Sequence, residues 1–288
     1  MTEINQKFID EIMPRRDPEA DKNTFGRIVC VCGSVGYIGA AYFAAMGAVR
    51  MGSGVVTLAT PEKAWPVLAT KLNEPVVRPV PCGADGLISS EALPVLLAMI
   101  ERADAVLIGC GLGRTYAVAE LIISLIEKAG CQIILDADGI NAVSAHKDIL
   151  QQAAKPVVLT PHAREFARLS GIEQANAGEL TLFARKYNCI VLFKGHHTLV
   201  AAPDGAIFRN HSGNPGMAKG GSGDMLAGML TSLCGQGIPA VQAACAATWL
   251  HGRAGDLAAN ALSEYGMTPS DMLRLLPTLL KRYNTREW

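Results

Sequence analysis

The stretch 210–230, N-H-S-G-N-P-G-M-A-K-G-G-S-G-D-M-L-A-G-M-L, concentrates residue types able to do chemistry. Glycines 220, 221 and 223 keep side chains away from the backbone, so a ligand can approach it closely. The loop runs into a helical pattern whose first N–H groups lack intrahelical partners and suit an anion. Ser222 is placed to cap that helix. Asp224 stands where the anion is expected. A carboxylate there takes a proton or positions a cation, or it only complements the helix dipole. On the loop alone both readings are open.

Other candidates follow predicted strands. Lys194-Gly195-His196-His197-Thr198 offers a lysine that meets phosphate as a point charge, or snorkels at a strand end. His162 and Glu165 stand at i, i+3 and face one way. Glu165 suits Mg²⁺ through water, or is merely a helix-start acid. Asp136 and Asp138 are candidates of the same kind. Gly109-x-Gly111-x-Gly113 lacks the dinucleotide spacing, and no G-x-x-x-x-G-K-[S/T] occurs. The remaining histidines, His146, His211 and His251, build no zinc spacing. Cys30 and Cys32 share a strand face and read as core.

The elements that must position these groups alternate. Short apolar, β-branched runs at 27–32, 54–59, 75–80, 104–108, 132–135, 155–159 and 189–193 predict buried strands. A hairpin is predicted over 198–202 and 206–209. Helices are predicted near 40–51, 89–100, 117–129, 163–169, 177–186, 224–234, 240–259 and 270–283, with Pro61 opening a further one. The first 26 residues read as a lead-in with one short helix. Apolar strands separated by helices imply an α/β fold, a mostly parallel central sheet covered by helices on both faces. Ligands collect at the carboxyl ends of such strands, where nearly every polar or glycine cluster falls. With no linker, repeat or low-complexity stretch, residues 1–288 read as a single domain.

Composition narrows the classes. The chain has 26 Lys plus Arg against 26 Asp plus Glu, a formal net charge of zero, which argues against nucleic-acid and polybasic membrane binding. No apolar run is long enough to span a bilayer, and the start is no signal peptide. The eight scattered cysteines read as reduced, buried thiols, so a cytoplasmic protein is expected. The strand ends and the glycine loop together supply N–H donors, a lysine, a metal acid and a base, the parts of a phosphoryl-transfer site.

A-K-G-G-S-G-D at 218–224 is similar to the anion-hole and base motif of ribokinase-like kinases. With it stand G-S-x-x-Y-x-G-A-A at 33–41, G-S-G-V-V at 52–56, G-x-G-L-G at 109–113, L-D-A-D-G-I-N at 135–141, L-T-P-H-x-x-E-F at 159–166 and K-G-x-x-T at 194–198. In this order, over nearly the whole chain, they closely resemble the NAD(P)H-hydrate dehydratase family. The resemblance implies a ribokinase-like three-layer fold and repair of the S epimer of hydrated NADH and NADPH. A nucleoside phosphate, ADP in preference to ATP, would phosphorylate the ring hydroxyl with Mg²⁺ present, and loss of phosphate would restore the double bond.

By the same resemblance, Asp224 is the base and Gly221, Ser222 and Gly223 form the anion hole. Lys194 to Thr198 and Gly223 contact the nucleotide. Ala40 or Ala41, Gly113, His162 and Asp224 line the hydrated nucleotide, and Asn141 and Glu165 are further candidates, Glu165 for the metal. The family's frequently fused epimerase domain is not seen, so a stand-alone dehydratase coupled to a separate epimerase is expected, in a homo-oligomer. The competing readings are a kinase of a small alcohol such as a vitamin precursor, and a non-catalytic nucleotide sensor.

Overall fold

The computed structural model describes residues 1–284; positions 285–288 of the expected domain lie outside them. Its strands are β1 (Thr2–Ile4), β2 (Arg27–Val31), β3 (Val55–Pro61), β4 (Val76–Val80), β5 (Ala105–Ile108), β6 (Gln132–Leu135), β7 (Val157–Leu159), β8 (Cys189–Phe193), β9 (Leu199–Ala201) and β10 (Ile207–Asn210). They form one ten-stranded sheet in the order β1-β10-β9-β8-β7-β6-β5-β2-β3-β4. Among the described residues β9 alone runs antiparallel to its neighbours. Residues of β5, β6 and β7 are buried throughout, the near-continuous apolar pattern of strands covered on both faces.

The helices are α1 (Gln6–Ile12), α2 (Ile38–Arg50), α3 (Trp65–Lys71), α4 (Leu93–Ile100), α5 (Tyr116–Lys128), α6 (Asp138–Val143), α7 (Ala163–Ser170), α8 (Ala177–Lys186), α9 (Ser222–Gly235), α10 (Ala240–Gly266) and α11 (Pro269–Leu280). The period-2 pleat of β2 divides them. Ile28, Cys30 and Cys32 face a core shared with α2, α3, α9, α10 and α11, while Val29 and Val31 face one shared with α4 to α8. Helices therefore cover both faces, as the alternation predicts. Cys30 and Cys32 do share a face and are fully buried.

Several elements differ from expectation. The lead-in contains an edge strand, β1, pairing in parallel with β10 through Thr2↔Phe208 to Ile4↔Asn210. Three residues are too few for a periodic signal. Pro61 ends β3; the proline in the first turn of α3 is Pro66. The helix α6 follows β6 directly and was not anticipated, because Gly139 and Asn141 weaken its pattern. The helix near 240–259 continues to Gly266, with non-helical backbone at Ser263.

The chain runs β2-β3-β4 towards one edge, then returns to place β5 on the other side of β2. The β2–β5 boundary is a topological switch point, where the loops leaving two adjacent strands diverge and open a crevice.

Candidate active site

Helix α9 delivers the central acid. Gly221 is its N-cap, in the left-handed region at φ 96°, and a Cβ there would stand 2.5 Å from the Phe43 ring. Glycine is required on both counts. The expected cap, Ser222, is instead the first helical residue, and its hydroxyl lies 3.4 Å from His251 Nε2. Its N–H donates to the Lys219 carbonyl at 3.3 Å. The N–H groups of Gly221 and Gly223 have no hydrogen-bond partner among the described residues, so two members of the expected anion hole have free donors and the third has a bonded one.

Lys219 anchors the loop: its ammonium donates to the carbonyls of Glu264, Tyr265 and Met267 at the end of α10, the carbonyls a helix leaves unsatisfied. Asp256 of α10 accepts from the Gly213 N–H and the Asn214 amide, both at 3.3 Å. Gly252 and Gly255 let the loop lie directly on the helix, since a Cβ on either would collide with Ser212 or Met217.

Around Asp224 the strand ends converge. Asp136, at the end of β6, is buried and accepts from Thr160 Oγ1 at 2.6 Å, Lys194 Nζ at 2.7 Å and the Cys110 thiol at 3.4 Å. Lys194 also lies 3.9 Å from Glu165. Burial pulls the Lys194 ammonium down, but the charges of Asp136 and Glu165 outweigh it and leave its pKa raised. One ligand atom each from Cys110, Asp136 and Asp224 lie within 4.8 Å of one another. That spacing admits a cation, but Lys194 already neutralises Asp136.

Burial, then the charge of Asp136, pushes the Asp224 carboxyl up to about 6, against the Cys110 thiol and the Lys194 ammonium. A carboxylate with a pKa near the working pH is suited to accept a proton.

A cavity of about 730 Å³ opens beside this cluster. Its walls include Lys194 to Thr198, His162 and Gly223, the expected nucleotide-contacting residues with one expected substrate residue. Lys194 borders the glycine loop: its Nζ lies 3.3 Å from where a Cβ on Gly223 would stand. Thr198 closes the 194–198 turn on the Gly195 carbonyl at 3.1 Å.

The remaining candidates gather at the β2–β5 crevice. Ser34 Oγ donates to the Gly111 carbonyl at 2.7 Å, and a Cβ on Gly111 would stand 3.1 Å from that of Ala40. The Gly113 N–H donates to Asp138 at 2.9 Å, and Asp138 also pairs with Arg114 at 2.8 Å. Ala41 is fully buried behind Gly33, so of the two alanines only Ala40 offers surface to a ligand. Asn141 Oδ1 accepts from Arg168 and holds α7 to α6. Glu165 forms a capping box with His162: its carboxylate accepts the His162 N–H at 2.9 Å, while His162 Nδ1 accepts the Glu165 N–H at 3.2 Å. Both first-turn readings of this acid therefore remain compatible, since Oε1 accepts no hydrogen bond among the described residues.

Sequence reading assigned no site role to Cys110, read as a buried thiol, or to His251, weighed only as a zinc ligand, and Thr248 went unremarked. His251 and Thr248 both line the cavity from α10. Burial lowers His251 to about 4, so the ring is neutral, and the Thr248 hydroxyl is buried without a partner. Their i, i+3 spacing on a helix facing the loop was the available signal.

The sequence model of the NAD(P)H-hydrate dehydratase family matches residues 28–278. An ADP-dependent (S)-NAD(P)H-hydrate dehydratase of Neisseria meningitidis is 37% identical over 85% of this chain and 81% of its own length. The chain belongs to the NAD(P)H-hydrate dehydratase family. A bifunctional NAD(P)H-hydrate repair enzyme of Moorella thermoacetica is 38% identical over 93% of this chain and 52% of the relative. The chain thus spans about half the length of the bifunctional relatives it matches. The dehydratase of Bacillus subtilis co-crystallised with ATP/Mg²⁺ superposes with a TM-score of 0.84 at 28% identity, covering 98% of both chains. The fold is ribokinase-like.

Proposed function

We propose that this family member dehydrates the S epimer of hydrated NADH and NADPH, with ADP as phosphoryl donor. The carrying observation is Asp224, a carboxyl raised to about 6 at a helix start where Gly221 and Gly223 present unpartnered N–H groups and Lys194 lies alongside. Asp224 removes the proton of the ring hydroxyl as its oxygen attacks the terminal phosphorus of ADP, and AMP leaves. The free N–H groups and Lys194 balance charge on the transferred group. Phosphate then departs from the ring carbon while the neighbouring carbon loses a proton, restoring the double bond.

Ala40 and Gly113 flank the hydrated ring at the crevice, His162 stands at the cavity wall, and the turn 194–198 holds the nucleotide. Mg²⁺ would supply charge neutralisation on the phosphates. The Glu165 carboxylate, a hard oxygen donor whose Oε1 lies 3.5 Å from His162 Nε2 and accepts no hydrogen bond among the described residues, fits such a role through water. The ADP-dependent name of the Neisseria relative supports ADP, while the ATP/Mg²⁺ complex of the Bacillus one keeps ATP as the second donor to test. Because only the S epimer is consumed, an epimerase activity completes the repair.

The test is to mix the protein with Mg²⁺, hydrated NADPH and either ADP or ATP, and follow the reduced-nicotinamide absorbance. ADP should restore it faster than ATP, and an added epimerase should extend recovery beyond the S fraction. Failure with both nucleotides would remove the repair reading.

A further inference from the structure

Three imidazoles, His196, His197 and His211, line the cavity. The rings of His196 and His197 lie 3.9 Å apart, and those of His197 and His211 4.5 Å apart. His197 holds φ 62°, in the left-handed region. Non-glycine residues are uncommon there, and such backbone persists only where its surroundings hold it.

The hold is visible. His197 Nδ1 and His211 Nδ1 stand 2.9 Å apart, and His211 Nε2 stands 2.7 Å from Glu3 Oε2. Glu3 belongs to β1 and is gripped by the Arg209 guanidinium on β10, at 3.0 Å and 2.5 Å. A relay of hydrogen bonds thus runs from the sheet edge to the turn at 194–198. In the Nδ1–Nδ1 contact one nitrogen must carry a proton and the other must not.

We propose that His196 and His197 form the face on which the nucleobase of a purine nucleoside diphosphate stacks, held in place by His211 and Glu3. This rests on reading the cavity as the nucleotide site. Two observations favour a base over a phosphate here. Lys194 and the free N–H groups already mark the phosphate end. Burial, then the neighbouring charges of His196, His211 and Arg209, lowers His197 against the opposing pull of Glu3, so near neutral pH this ring is an uncharged aromatic surface. Planar side chains of this kind stack on bases with little sequence demand.

The relay also makes binding pH-dependent. As pH falls, a second proton on the His197–His211 pair breaks the Nδ1–Nδ1 bond, and Arg209 adds repulsion that Glu3 only partly offsets. Affinity for the nucleoside end should therefore fall as the solution is made acid.

Calorimetric titration of the full chain with ADP and with inorganic pyrophosphate tests this. His197→Gly should weaken ADP about tenfold, at the low end of what loss of a stacking ring costs, and leave pyrophosphate within about twofold. Its melting temperature should hold or rise, because glycine accepts the positive φ. His211→Ala should weaken ADP by about three- to fivefold and flatten the fall at acid pH. Equal weakening of ADP and pyrophosphate would place the imidazoles on phosphate and overturn the proposal. So would unchanged ADP affinity in His197→Gly. A wild-type protein that bound neither ADP nor ATP would instead remove the nucleotide reading itself.

Discussion

Asp224 sits between two influences that disfavour its carboxylate, burial and Asp136, and three that favour it, the Cys110 thiol, Lys194 and its own backbone N–H. Burial and Asp136 raise it to about 6; the Cys110 thiol and Lys194 restrain the rise. Because the proposed base must be ionised, turnover should fall with an acid limb near pH 6. Cys110→Ala removes the thiol donor, so the limb should move to higher pH, while Cys110→Ser, which keeps a donor, should move it little. A pH–rate profile of the three proteins checks this.

The stability sign is opposite. A carboxyl whose folded pKa lies above its unfolded value favours folding when protonated, and that contribution is lost as pH rises through about 6. Asp224→Asn should therefore be more stable than wild type at pH 8 by on the order of 1–2 kcal/mol, read by denaturant titration. From sequence, Asp224 was legible as an acid in an anion cradle. Cys110 was not, because a thiol after an apolar strand looks like core until β5 and β6 are placed side by side.

At the scale of elements, two helices aim that acid. Helices α2 and α9 pack backbone to backbone: a Cβ on Gly228 would stand 2.0 Å from the Ala44 carbonyl, and one on Gly47 2.5 Å from that of Met225. Gly228→Ala must push the helices apart, at about 1–3 kcal/mol for overpacking. Turnover should fall further than stability alone explains, because the N-terminus of α9 carries the anion site; thermal melts and kinetics on the same preparation separate the two.

Most of these elements were readable, since strands β2 to β8 are short apolar runs and α5, α9 and α10 repeat at helical spacing. What escaped was decided by tertiary context. The strand β1 exists because β10 offers an edge, α6 because Asp138 and Gly139 sit against the β5 turn, and the α9 cap fell to Gly221 because Phe43 leaves no room for a side chain. Likewise, nothing local to 240–266 announces that Gly252, Gly255 and Asp256 anchor the loop that leads into α9.

Across the whole molecule, sheet order sets out the two proposed ligand sites. The β2–β5 switch opens the crevice holding Ala40 and Gly113, β7 and β8 contribute His162 and Lys194 to the cavity, and Asp224 stands with Cys110 and Asp136, their ligand atoms within 4.8 Å of one another. The formal net charge is zero, and no helix among the described residues is long and apolar enough to cross a membrane. The account's central claim is that Asp224 moves a proton while ADP hands phosphate to the hydrated ring. Its most direct test follows AMP release and recovery of reduced-nicotinamide absorbance together, in wild type and Asp224→Asn. Wild type should yield one AMP per NADPH restored, and Asp224→Asn should bind ADP as well while both products slow together by about 10²–10⁴-fold. Near-normal recovery by Asp224→Asn, or recovery without AMP, would contradict it.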